Sequence, residues 1–174
     1  MRGFKNLIIL APLAYLLHHF EEHILLNFRE WRLKYFLYNN PLSTEEVLIR
    51  LTSFLLIIII VHYVKNNRGS AHIIMFFLMT TQVVNASFHI FFSLYFFDFS
   101  PGTITAIALY IPTNYLIFRA ALREGYLKSN TELLLIFSAA MLTFALFELI
   151  GPVVIGYSFI LMPIYYLAVN RLNN

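Results

Sequence analysis

The sequence predicts an all-α protein: a polytopic bundle of transmembrane helices, six spans with five as the alternative, and an interfacial amphipathic helix after the first span. Three observations carry this. Hydrophobic residues make up 60% of the chain and charged residues 12%, whereas a soluble domain is nearer half apolar and a quarter charged. Among 174 residues there are 18 Phe and 11 Tyr, more aromatic surface than a water-soluble core of this size can hide. The apolar residues also gather into six stretches, each close to the roughly 20 residues needed to cross about 30 Å of hydrocarbon. Residues 1–174 are therefore read as a single integral-membrane domain.

The first stretch, Phe4 to Leu26, follows Arg2 and Lys5 as a signal peptide would. It has no small-x-small cleavage site and runs on into charged helix-like sequence, so it is read as a mature span. From Arg29 to Asn40, Trp31, Tyr35, Phe36 and Tyr38 lie among Arg29, Arg32 and Lys34, the composition of a helix lying in the interface. Asn39-Asn40-Pro41 is expected to end it, and Ser43-Thr44-Glu45-Glu46 reads as a capped helix start. The further spans are Val47 to Val64, Ile73 to Phe97, Thr103 to Ala121, Leu133 to Ile150 and Val153 to Val169. Only Gly151-Pro152 separates the last two, so one broken helix there would reduce the count to five.

Charge orients the bundle. Six spans put Arg2, Lys5, Lys65, Arg68, Arg119, Arg123, Lys128 and Arg171 on one side, and Arg29, Arg32, Lys34 and Arg50 on the other. The positive-inside rule then places both termini in the cytoplasm. The expected location is a cytoplasmic membrane. The basic residues punctuate apolar runs and do not cluster on one face, so no nucleic-acid partner is expected. With no cysteine, disulfides, thiolate metal sites and a cysteine nucleophile are excluded.

Ionisable groups inside a span cost at least a few kcal/mol each and mark function by default. The first span carries His18-His19-Phe20-Glu21-Glu22-His23, the third Asn85-Ala86-Ser87-Phe88-His89, the fourth Tyr110, Pro112, Asn114 and Tyr115, and the fifth Glu148. On a helix turning about 100° per residue, His18, Glu21 and Glu22 share an arc of roughly 100°. His19 and His23 lie on a neighbouring arc, as interface-facing or supporting members, and Asn85 and His89 form an i, i+4 stripe. The first, third and fifth spans run in the same direction, and each has its polar residues in its C-terminal half. They should share one depth, near the extracytoplasmic face. His62 and His72 are expected to be interfacial, and Phe88, Phe91, Phe92, Tyr95, Phe96 and Phe97 to face lipid.

His18-x-x-Glu21-Glu22 resembles the signature of the HXXEE family of small polytopic prokaryotic membrane proteins, named for that motif. Asn85-x-x-x-His89 is similar to the family's second signature, and Tyr110 and Pro112 to a later Tyr/Pro region, so the resemblance runs from the first span through the fourth. The family has no assigned activity. The resemblance supports a site and implies no reaction.

The residues themselves suggest a metal centre for Zn or Fe, with His18, Glu22 and His89 as ligands and His19, His23 and Glu148 as additional candidates. Glu21 or Glu22 would serve as general base, and Asn85 and Tyr110 would donate hydrogen bonds to developing oxyanion charge. Metal-dependent hydrolysis of a membrane lipid or other apolar small molecule is the leading expectation. A metal-free acid/base isomerase and a proton- or cation-coupled carrier or lipid-binding protein are the alternatives. Absence of an internal repeat counts against a carrier, and homo-oligomerisation is left open.

Overall fold

The computed structural model describes residues 3–38 and 41–171, and among them there are helices and no strands. Helix α1 comprises Phe4–Ile8 and Leu10–Phe20, interrupted at Ile9, and continues into a π-helical turn, Glu21–Leu25. The short helix α2, Phe28–Tyr35, follows. Then come α3 (Thr44–Lys65), α4 (Arg68–Phe96), α5 (Thr103–Arg123), α6 (Asn130–Ile150) and α7 (Val153–Arg171). These last five are long and apolar enough to cross a membrane. Gly151 and Pro152 separate α6 from α7 as distinct helices, so the five-helix count does not come from a merger there. It comes from α1, which is broken and carries Lys5, Glu21 and Glu22.

Cross-contacts show that α1 nevertheless runs the height of the bundle. The Phe4 N–H donates to Glu124 at 2.8 Å and the Tyr63 hydroxyl to the Lys5 carbonyl at 2.7 Å. Asn67 reaches Tyr166, and the Gly69 N–H reaches Asn170. The start of α1, the α3–α4 turn, the α5–α6 loop and the end of α7 thus share one end. At the other end Tyr35 donates to Asp98 at 2.7 Å and Arg32 pairs with Glu148. Accepting that hydrogen bond, Asp98 raises the pKa of the half-buried Tyr35 phenol above its usual value.

Local signals set the helix ends. Ser43 and Glu46 form a reciprocal capping box at the start of α3, as the sequence indicated. Asn67 accepts the Ser70 N–H and starts α4 five residues before its apolar run. Helix α2 stops at Tyr35, before the expected Asn39-Asn40-Pro41 terminator, of which residues 39 and 40, like Arg2, lie outside the described residues.

At the centre stands α4, packed against α3, α5, α6 and α7, while α1 packs on α3 and α5. Half of the most apolar window of α4 is buried, against 11% in α6 and in α7, so the last two helices form the outer wall. Their exposed Leu135, Leu142, Leu149, Ile160 and Leu167 suit contact with lipid rather than water. Of the aromatic residues near the end of α4, Phe91, Tyr95 and Phe97 are exposed as expected, whereas Phe88, Phe92 and Phe96 are half-buried. Phe88, Phe92 and Phe96 pack on Phe36, and Phe96 also stacks on Tyr35 at 3.9 Å, holding α2 against the bundle. His62 and His72, in the helix ends that flank the α3–α4 turn, are buried within the protein. His62 pairs with Ser70, and His72 with Tyr165 and the Tyr126 carbonyl.

Candidate metal centre

Where α1, α4 and α5 meet, Ala14, Ala86 and Ala106 supply one small residue from each helix, which lets the three backbones approach closely. Each of these helices also contains a π-helical turn near this level: Glu21–Leu25, Met79–Val84 and Ala106–Tyr110. An i→i+5 turn shifts the register of the following side chains, a distortion found mostly at functional sites. The turn in α4 precedes Asn85 and His89, and those in α1 and α5 contain Glu22 and Tyr110; together with His18 these side chains enter one buried region.

His18 is 2% exposed, His89 0% and Glu22 8%. The His18 Nδ1 sits 2.9 Å from the Thr105 hydroxyl, and the His89 Nδ1 2.9 Å from the Ser100 hydroxyl. Thr105 donates its own proton to the Gly102 carbonyl at 3.3 Å. The hydrogen-bond pattern therefore assigns the His18 proton to Nδ1 and leaves a lone pair on Nε2. Neither His18 Nε2 nor His89 Nε2 has a hydrogen-bond partner, although both are buried. Both face Glu22, with His89 Nε2 3.6 Å from Oε1 and His18 Nε2 3.7 Å from Oε2.

Those separations are too long for direct hydrogen bonds. They are close to the spacing between two ligands of one tetrahedral ion, about 3.3–3.5 Å when each lies roughly 2.0–2.1 Å from the metal. The three ligand atoms lie within 4.8 Å of one another, the geometry of a group that can hold a metal ion. The His18 Nε2 lone pair, turned toward a carboxylate, repels it unless a cation lies between. The two hydroxyls stand where the supporting partners of a ligating histidine would stand.

Glu21 has a different position from the one its arc suggested. Its carboxylate accepts the backbone N–H groups of Gly102, Ile104 and Thr105 at 3.2, 3.1 and 2.7 Å, so it caps the start of α5 instead of facing the cluster. Glu148 shares the expected end of the bundle but pairs with Arg32 outside the cluster. Glu148→Gln should therefore leave metal content unchanged while loosening α2, which elemental analysis and limited proteolysis of the 27–43 segment would check. His19 and His23 stand beside Glu22, with His23 Nε2 3.4 Å from Oε2. Asn85 neighbours His18 and has an unpartnered buried Oδ1. The Tyr110 ring lies 4.4 Å from that of His18, and its buried hydroxyl is also unpartnered. Asn114 instead donates to Gln82, and Tyr115 is exposed.

Sequence reasoning missed Ser100, Gly102, Thr105 and Gln82. The first three lie in or just after the 98–102 turn, where Ser-Pro-Gly-Thr reads as a turn and helix start with nothing to show that histidines dock on it. Ser100→Ala and Thr105→Val should each weaken metal affinity roughly 10–100-fold with the helical fold intact. Competition with a chelator would read this, and unchanged affinity in both would contradict the positioning role.

An all-α bundle with membrane-length helices and a buried His/Glu/His cluster defines a class: helical bundles with a candidate metal centre between helices. Within that class the chain belongs to the HXXEE family, described as "Protein of unknown function with HXXEE motif", matched over residues 9–117. That stretch holds the whole cluster and its supporting turn. No curated protein and no solved structure matches the chain.

Proposed function

We propose that the protein is a metal-dependent enzyme of the membrane, a hydrolase acting on a lipid or other apolar substrate. The observation that carries this reading is the pair of unpartnered histidine Nε2 atoms turned on the Glu22 carboxylate at 3.6 and 3.7 Å. A metal-free acid/base site would bring these groups into hydrogen-bond contact to share a proton, and their spacing does not favour that. Bound there, Zn or Fe would supply Lewis acidity, polarising a carbonyl or phosphoryl group and making water nucleophilic near neutral pH.

The chain's own residues supply the rest. The proton of the attacking water is delivered to the leaving alkoxide, so that an ester gives an acid and an alcohol, while Glu22 would be kept as a ligand and not as the proton carrier. The Tyr110 hydroxyl and the Asn85 amide are the donors for the developing oxyanion. Glu21 is committed to the α5 backbone and takes no part in proton transfer. An apolar groove of ≈ 410 Å³ opens on the outside of the bundle between α4, α5 and α6. It passes Val83 and Ile111, the latter next to Tyr110, and Phe118, which suits an acyl chain. A second recess of ≈ 230 Å³, lined by Glu30, Lys34, Asp98 and Pro101, lies over the 98–102 turn as a polar approach.

The end bearing Lys5, Lys65, Arg68, Arg123, Lys128 and Arg171 would face the cytoplasm of a prokaryotic cell and the site the opposite side. The test is release of fatty acid or alcohol from a panel of phospholipids and acyl esters by protein reconstituted with Zn or Fe. Turnover that a chelator abolishes and His89→Ala lacks is expected. Metal-loaded protein that releases no product, or activity indifferent to chelation, would overturn the hydrolase reading.

A further inference from the structure

We infer that the cluster is a two-cation centre bridged by Glu22, with His18 and His89 on one ion and His19 and His23 on the other. This rests on the metal reading above and extends it to histidines which that reading leaves unused. His19 is 4% exposed and its Nε2 is buried with no hydrogen-bond partner, a third orphaned imidazole nitrogen beside those of His18 and His89. The His19 and His23 rings stand 4.4 Å apart. One ligand atom from each of His19, Glu22 and His23 falls within 4.8 Å of the others, a complete second group that shares only Glu22 with the first.

Glu22 is shaped for bridging. Its Oε1 faces His89 at 3.6 Å, while its Oε2 faces His23 at 3.4 Å and His18 at 3.7 Å. Oε2 thus faces one histidine of each group, so the two ions would share this carboxylate, and two-metal hydrolytic sites hold their ions about 3.5–4 Å apart. Helix geometry allows the arrangement: at about 100° per residue His18, Glu22, His19 and His23 follow one another around an arc of roughly 140°, with Glu22 between His18 and the other two histidines.

A single bridging carboxylate with four neutral imidazoles leaves two divalent ions strongly positive in a buried setting. The open positions of the pair therefore favour an anionic ligand, a hydroxide or the phosphate oxygen of a lipid.

The experiment loads untagged protein with Mn²⁺, counts the ions by elemental analysis and records the electron paramagnetic resonance spectrum. Two ions per chain with an exchange-coupled spectrum are expected in the wild type, which needs no variant to be informative. His23→Gln and His19→Gln should fall to one ion with an isolated-ion spectrum, and Glu22→Gln should lose both. One ion per chain in the wild type, uncoupled and unaffected by His23→Gln, would overturn the second site while leaving the first. No bound ion at all would overturn the metal reading itself.

Discussion

Gly102→Ala is expected to destabilise the protein by about 2–5 kcal/mol and to strip the candidate centre of metal, because two independent penalties fall on one position. Gly102 has φ +99°, which L side chains rarely adopt. A Cβ added there would lie 2.8 Å from His18 Cε1 and 3.1 Å from His89 Cε1. Neither ring can swing aside freely, since Thr105 and Ser100 hold their Nδ1 atoms. Thermal unfolding in detergent and metal content would both report the change. An alanine variant with wild-type stability and full metal would show that the turn does not press on the histidines as described.

Adjacent glutamates should fail in opposite ways. Glu21→Ala removes the acceptor of three N–H groups at the start of α5 and should cost about 3 kcal/mol or more, the scale for several partly buried donors left unpaired. Glu22→Gln keeps shape and volume, and Glu22 caps no helix, so stability should hold while metal is lost. Measuring unfolding and metal content on the same two preparations would reveal the split. If Glu22→Gln retained metal and Glu21→Ala unfolded no sooner, the roles assigned to the pair would be reversed or absent.

Much of this was legible from depth. His18, Glu22 and His89 sit in the C-terminal halves of two spans running the same way, and that agreement alone indicated that they could meet. The direction of Glu21 was not legible, because a regular 100° step puts it on the same arc as His18 and nothing in Phe20-Glu21-Glu22 announces a π-helical turn. Thr105 lies 87 residues from the histidine it holds, and no local pattern connects a hydroxyl after a turn to a ring in another helix. Glu148 could be placed at the right end of the bundle but not paired, since its partner Arg32 lies on a helix whose docking depends on the aromatic residues at the end of α4. His62 and His72 flank the α3–α4 turn, whose charge made them read as interfacial. Their burial follows from the close packing of α4 on α3 and α7, which no single segment encodes.

The central claim is that His18, Glu22 and His89 hold a metal ion. X-ray absorption at the metal edge, on untagged protein purified in mild detergent after growth with added Zn and Fe, tests it most directly. The account predicts tightly bound metal with imidazole nitrogen and carboxylate oxygen ligands at about 2.0–2.2 Å, lost in His18→Ala and in His89→Ala. A preparation that carries no metal, or one whose metal environment is the same in both variants, would contradict it.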